Sequence, residues 1–455
     1  MQIITENAYM CLPENVYVLK DAYKGYVLGI STDDNTTKEF KINKDALKII
    51  SLMTGRQTLS EIVNSLKIDT NSSKVMNKII NFLKEINSIS TIHISNIPIE
   101  FPSPIIGDLN NNFPRHFAIE LTNKCNIKCR FCYNDSTCNN NSFLKDPIEV
   151  LKGLKSSKVQ AIELTGGEPF LHPKFLEIVN YSLNNFSIVA VITNGTHLSD
   201  EFFKLVDGKN IFIQVTLPGS SKESAIGEYI DTSEEQSMDI YKKKIEFIKK
   251  IAEHKISSRI VMVVDDAKKL DDIENTIILA KELGVNSFTF TLSIPSGRSL
   301  DSAEKMSNQN IKKYFDLNQI LMNKYYGFVD NEVDYNDIPD LNKGWNCGAG
   351  HRTNAITSNN KIKPCVMFMD SNSYDDLNTD DVVKSIRNRK HVDAYSSIVV
   401  PNFSTCKECT HANYCLGCLA RGIAKLKEIG ECNCLWFKQL GSNEKKMISN
   451  IFIKE

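Results

Sequence analysis

A chain of 455 residues with 54 Lys and Arg against 55 Asp and Glu carries a formal charge of −1. That leaves no general field to draw it to nucleic acid or to an anionic membrane surface. No apolar run reaches the roughly 18 residues of a transmembrane helix, and the first residues lack a basic stretch followed by an apolar core, so a cytosolic protein without anchor or export signal is expected. The length allows about three domains. Thirteen cysteines are many for a compartment where disulfides are rare, and because most of them fall in two clusters, metal ligation explains them better than cross-linking.

Residues 1–95 read as a unit of their own. Strands are expected over 16–20 and 26–30, separated by Lys24-Gly25, and a third over 38–42. Asn43 precedes a helix expected to end at Gly55. Thr58 with Glu61 three residues on has the form of a capping box opening a second helix. A third helix is expected from 73 to about 86, with Val75, Ile79, Phe82, Leu83 and Ile86 on one face. Lys41, Lys44, Lys48, Arg56, Lys67, Lys74, Lys78 and Lys84 are basic but scattered among Asp and Glu. Residues 96–114, with four prolines and polar turns, read as a linker.

From 115 to 300 strands and helices alternate. Strands are expected at 116–121, 160–165, 187–193, 211–216, 257–264 and 286–292, with helices between them at Asp200–Val206, 236–254 and 270–283 among others. Near-continuous apolar strands separated by helices indicate a parallel sheet of six β/α units. A closed eight-unit barrel needs two more, and in such sheets chemistry sits at the C-terminal strand ends.

The motifs found in this region all fall at such ends. After the first strand, 121–133 reads L-T-N-K-C-N-I-K-C-R-F-C-Y, placing Cys125, Cys129 and Cys132 in C-x3-C-x2-C spacing. Three thiolates on one loop can hold three corners of a [4Fe–4S] cube and leave the fourth iron open to a ligand. A zinc knuckle short of one ligand is the alternative, although zinc loops more often show C-x2-C pairs. The second strand ends in Gly166-Gly167-Glu168-Pro169, where paired glycines permit close backbone approach to a ligand. Thr193-Asn194-Gly195 ends the third strand and Thr216 the fourth; a plain strand-to-helix turn explains the former equally.

Residues 301–345 read as a polar helical bridge, with a turn at 339–344. From 346 on, eight cysteines follow: Cys347 and Cys365, then Cys406, Cys409, Cys415 and Cys418 as C-x2-C-x5-C-x2-C, then Cys432 and Cys434. Two structural zinc sites are one explanation of such pairs. Cys11, Cys138 and Cys432 are left over, and a buried or idle thiol is the simplest reading of each.

The cysteine loop with Phe131 as its aromatic, followed about 35 residues later by Gly-Gly-Glu-Pro, resembles the radical S-adenosylmethionine (SAM) superfamily. The resemblance implies an α/β fold, a partial (β/α)6 TIM-like barrel open on one side. It implies that Phe131, Gly166, Gly167, Glu168, Pro169, Asn194 and Thr216 contact SAM, with Arg259 as a carboxylate partner; a solvent-facing or salt-bridged arginine is the competing reading of Arg259. The C-terminal cysteines resemble a SPASM domain over 346–455, which implies two auxiliary clusters and three [4Fe–4S] clusters in all. It departs from that pattern in a longer first gap, Asn360 at the glycine place and x2 for x3 at Cys415–Cys418. Asn tolerates left-handed geometry next best after glycine. The implied ligands are Cys406, Cys409, Cys415 and Cys434 for an outer cluster, and only Cys347, Cys365 and Cys418 for an inner one. Cys434 is preferred to Cys432 because C-x-W ends the domain in subtilosin-type sactipeptide maturases, which N-C-G-A-G at 346–350 and Y-C-L-G-C at 414–418 also resemble.

Residues 1–95 resemble a winged-helix-like leader-recognition domain, which implies a precursor peptide as partner and β-augmentation as its binding mode. The implied activity is a peptide maturase joining cysteine sulfur to an α-carbon, with a flavodoxin- or ferredoxin-type electron donor. No side chain is singled out as catalytic, because the hard chemistry belongs to the cofactors. Other peptide modifications (β- or γ-carbon thioethers, C–C cross-links, epimerisation) and a non-enzymatic zinc protein with a winged-helix DNA-binding module are the rival readings. Iron content separates the last from an enzyme.

Overall fold

The computed structural model describes residues 4–22, 24–31, 37–66, 73–294, 297–300, 306–330, 346–368 and 375–452. The chain divides into two compact units, residues 1–114 and 115–455. The expected turn at 339–344, and Lys67, lie outside the described residues.

In the first unit six strands are described: β1 (Tyr9–Cys11), β2 (Val16–Asp21), β3 (Gly25–Ser31), β4 (Thr37–Lys41), β5 (Thr54–Thr58) and β6 (His93–Ser95). β2, β3 and β4 form an antiparallel meander in that order, with Val18 opposite Leu28 and Leu28 opposite Phe40. Alternation puts Val16, Val18, Leu28 and Ile30 into one core with Leu47 and Ile50 of helix Lys44–Leu52, Ile62 of helix Leu59–Ser65, and Leu83 of helix Ser73–Ile89. Asn43 caps the first helix through Ala46 N, and Thr58 and Glu61 form the expected capping box.

Two expectations change here. Gly55 does not end a helix. The helix stops at Leu52, and Gly55 lies in β5 with φ +78°, where a Cβ would crowd the Ile99 carbonyl. Nor is 96–114 a free tether: although it holds no helix or strand, Ile99 N donates to Gly55 O (2.9 Å), Phe101 N to Thr54 O (3.1 Å), Ile106 N to Val18 O (2.8 Å) and Phe113 N to Lys20 O (2.7 Å). Its backbone groups are satisfied along the strands of the same unit. β1, β5 and β6 form a second antiparallel sheet, order β5-β1-β6, with the fully buried Cys11 as apolar filling.

The second unit is built on six parallel strands in sequence order: β7 (His116–Thr122), β8 (Ala161–Gly166), β9 (Ile188–Thr193), β10 (Phe212–Thr216), β11 (Ser257–Val264) and β12 (Ser287–Leu292). Helices Pro147–Ser156, Phe175–Asn185, Asp200–Val206, Glu234–Glu253 and Ile273–Glu282 alternate with them. The last starts three residues later than expected, because Asp272 turns aside there to accept from Ser220 N (2.8 Å) and Ser224 Oγ (3.1 Å). Among the described residues β7 and β12 do not pair, so the sheet resembles a partial TIM barrel. Its β7 edge is instead extended by β13 (Thr353–Ile356, parallel to β7), β14 (Lys361–Lys363) and β15 (Asp375–Asp376), both antiparallel to their neighbours. Asn360 turns β13 into β14 at φ +56°, in the left-handed region expected of it. The bridge 306–330 contains helix Asn308–Lys324. The C-terminal core gathers Trp436, Phe437, Tyr395, Leu419 and Ile423 around the cysteines, and Trp436 Nε1 donates to Val399 O (2.7 Å).

Candidate active site

The loop after β7 owes its shape to backbone bonds. Cys125 N donates to Thr137 O (3.0 Å) and Cys132 N to Cys129 O (3.3 Å), folding the loop so that the three thiols lie within electrostatic reach of one another. Burial pushes the Cys125 thiol up to about 11 and Cys129 further still. Metal binding here must therefore displace protons. Arg298, which the sequence reading passed over, clamps this loop. Its backbone N donates to Cys132 O (3.1 Å), its Nε to Cys129 O (2.9 Å) and its outer nitrogens to Ser136 O (2.8 Å) and Asp135 (2.7 Å).

The two glycines after β8 serve this same loop. A Cβ on Gly166 would collide with Thr122 O and one on Gly167 with Lys124 O. In that close approach Gly167 N donates to Thr122 O (2.7 Å) and Glu168 N to Lys124 O (2.9 Å). Pro169 opens a short 3-10 turn, and its lack of an N–H costs nothing there. Glu168 is fully buried: Oε1 accepts from Thr193 Oγ1 (2.8 Å) and Oε2 from Asn194 N (2.8 Å), and burial raises its pKa to about 7. Asn194 in turn points Nδ2 at Cys125 Sγ (3.7 Å) and Asn126 Oδ1 (2.9 Å). The turns after β8 and β9 thus close on the cysteine loop.

Lys244 completes the floor. Its Nζ donates to Asn194 O (2.7 Å) and Thr216 O (2.9 Å), with Cys129 and Glu168 in electrostatic reach, and burial lowers its pKa. The signal was available: Lys244 interrupts the apolar stripe Tyr241, Phe247, Ile248 and Ile251 of helix Glu234–Glu253. Burying those neighbours, at about 1.5–3 kcal/mol each, helps offset the cost of a buried ammonium.

Arg259 is the exception among the expected contacts. It stands five residues before the C-terminal end of β11, about 16 Å down the strand, over the Phe212 ring and 2.7 Å from Asp330. The salt-bridged reading is the one the geometry fits.

The C-terminal thiols fall into two sets. Cys406, Cys409, Cys415 and Cys434 line one small cavity with Trp436, where burial and then neighbouring thiols of the set raise Cys406, Cys415 and Cys434, whereas Cys432 is exposed. Burial raises Cys347 and Cys365, with Cys418 close enough to add to both and Cys347 to Cys365. Cys418 is the N-cap of helix Leu419–Ile429, whose first amide reaches Cys347, so negative charge here meets a helix N-terminus. Tyr133 lies within electrostatic reach of both Cys132 and Cys365. Among the described residues no three Cys, His, Asp or Glu side chains stand close enough to hold one ion, and a four-iron cube spreads its thiolates more widely than a single metal does. No helix among the described residues is long and apolar enough to cross a membrane.

Comparison with known proteins agrees with this geometry. Residues 119–308 match the Radical SAM superfamily. The chain is 25% identical over 407 residues to the antilisterial bacteriocin subtilosin biosynthesis protein AlbA of Bacillus subtilis (strain 168), covering 87% of this chain and 88% of that protein. It is 26% identical over 209 residues to the sporulation killing factor maturation protein SkfB of the same organism, covering 45% and 48%. Its fold is similar to that of Streptococcus suis SuiB bound to precursor peptide SuiA, with TM-score 0.60 at 15% identity, covering 91% of this chain and 97% of that one. Residues 119–308 are a radical SAM domain, in a chain close to the AlbA and SkfB maturation proteins and consistent with a radical SAM peptide maturase.

Proposed function

We propose that the protein matures a ribosomally made peptide by joining cysteine sulfur to an α-carbon of the same peptide. The observation that carries this reading is the set Cys347, Cys365 and Cys418: three thiols with no fourth cysteine, related to the barrel thiols through Tyr133. Three thiolates leave one iron of a cube free for a thiolate from the substrate.

Cys125, Cys129 and Cys132 would hold the barrel cluster, the inner trio a second, and Cys406, Cys409, Cys415 and Cys434 a third. Bound there, SAM and the reduced barrel cluster would supply radical chemistry able to take hydrogen from carbon. The residues of this chain hold and orient. Phe131, the Gly166–Pro169 turn, Asn194 and Thr216 form the SAM cradle, with the ammonium of Lys244 fixing the last two from below. The apolar barrel wall keeps water from the reacting carbon. A precursor's leader would add as a strand along β4, which has no second strand partner among the described residues, while the far edge of β2 already takes Pro104–Ile106. An external flavodoxin- or ferredoxin-type donor would supply electrons.

Co-expression with a cysteine-containing precursor tests the reading. Each cross-link should remove two hydrogens from the peptide's mass, and fragmentation should locate the acceptor residue. A product of unchanged mass, or one in which carbon is joined to carbon, would replace this reading with epimerisation or a C–C cross-link.

A further inference from the structure

Arg130 lies inside the cysteine loop, and its surroundings are not those of a solvated arginine. Its backbone N donates to Glu228 O (3.0 Å) in the loop after β10. Its guanidinium meets Glu228 (3.3 Å), Asp265 (2.9 Å) and Asp266 (3.5 Å), the two aspartates directly following β11. Lys269 completes the group, with Nζ 2.6 Å from Glu228, 2.8 Å from Asp265 and 3.0 Å from Val263 O, and 4.9 Å from the centre of the Phe131 ring. Glu228, Asp265, Asp266 and Lys269 are each at most 8% exposed.

We infer that this five-residue ion network positions Phe131 and the Cys129–Cys132 half of the loop for SAM, resting on the radical SAM reading of that loop. Three loops from separate strand ends converge on two cations that bracket Phe131: Arg130 is its chain neighbour and Lys269 stacks on its ring. A cation–π contact out of water orients an aromatic ring more firmly than an apolar wall does, because the quadrupole draws the ammonium over a ring face and away from the ring edge. Arg130 N and Ile230 N (2.8 Å from Lys128 O) tie the loop after β10 to the cysteine loop on either side of Cys129. Displacement of Lys269 would therefore loosen both the ring and the thiol beside it. These are positioning residues; none is assigned contact with reacting atoms.

A single change at Lys269 strands buried carboxylates and risks local unfolding, so the test pairs Lys269→Met with the charge-balanced Asp265→Asn/Lys269→Met. The readouts are SAM affinity by calorimetry on the anaerobically reconstituted full-length protein, the change that SAM induces in the reduced cluster's electron paramagnetic resonance signal, and amide exchange at Arg130 and Ile230 in metal-free protein. Both variants should bind SAM on the order of tenfold more weakly, lose much of the SAM-induced spectral change and exchange those two amides faster. Wild-type thermal stability should be largely retained in the balanced double variant. SAM affinity and amide protection within twofold of wild type in the folded double variant would overturn the inference. SAM binding that survives Cys125→Ala/Cys129→Ala/Cys132→Ala would instead defeat the radical SAM reading on which it rests.

Discussion

Lys363 Nζ lies 2.6 Å from Glu120 Oε1, with both side chains at most 3% exposed. Glu120 is on β7 and Lys363 on β14, two strands away; the fully buried Ala355 of β13 stands in register with Lys363 and with Ala118, and its small side chain leaves the space they bridge. The pair therefore fastens the cysteine-rich region to the first barrel strand, two residues before Cys365. Removing one partner of such a pair costs about 3–5 kcal/mol, whereas replacing both with apolar or neutral groups of similar volume is near neutral. Lys363→Ala should unfold at much lower denaturant concentration than wild type, and Glu120→Gln/Lys363→Met should recover most of the loss. Equal destabilisation by the single and double variants would show that the charges are not coupled.

Replacing Cys125, Cys129 and Cys132 together with Ala should abolish SAM cleavage and leave about 8 of roughly 12 irons, those of two four-iron clusters. Iron and sulfide analysis of reconstituted protein decides it. Complete loss of iron would reassign the C-terminal thiols.

The six barrel strands were legible because each is a near-continuous apolar run of five to eight residues bounded by turn signals. β1, β5, β6 and β13–β15, two to five residues long, carry too little periodicity to register. The cysteines and the Gly-Gly-Glu-Pro turn were legible as spacing. Arg298 and Lys269 were not, because a charged side chain reads as solvated until its partners, up to 169 residues away in the case of Arg298 and Cys129, are brought to it by the fold. Arg259 misled for the opposite reason: residue type suited a carboxylate, but its level on the strand decides what it can reach.

Removing residues 1–114 should leave abortive SAM cleavage largely intact and reduce turnover of a full-length precursor by about a hundredfold or more, as a tethering site is lost. The cut belongs at 114 rather than 95, because 97–113 is hydrogen-bonded to the first unit. Unchanged turnover of full-length precursor in the truncated protein would end the leader-binding assignment.

Glu168 gives a pH signature. Its folded pKa, raised to about 7 by burial, lies above that of an unfolded carboxyl, so the folded state binds more protons in between. Its contribution to stability is fully present below about pH 4.5 and is lost as pH rises through about 7. Metal-free wild type should accordingly lose stability relative to Glu168→Gln across that window. Parallel thermal melts at pH 5 and pH 7.5 measure it, and a difference that does not change with pH would place the charge elsewhere.

The inner trio offers the sharpest separation of roles. Cys418 belongs to the C-terminal region, as the N-cap of helix Leu419–Ile429, so Cys418→Ser should spare SAM cleavage within about threefold while lowering thioether formation by on the order of a hundredfold. A serine hydroxyl is a poor iron ligand, and a cube left with two thiolates has no reason to hold a substrate sulfur in place. If the fourth iron takes the substrate's thiolate, a core peptide should perturb the spectrum of the inner cluster, and the same peptide with its cysteines changed to Ser should not. Equal losses of cleavage and cross-linking in Cys418→Ser would mean that the trio supports the fold of the barrel site rather than the sulfur. A fourth side chain found on the inner iron would close the site to substrate and leave the thioether reading level with the other peptide modifications.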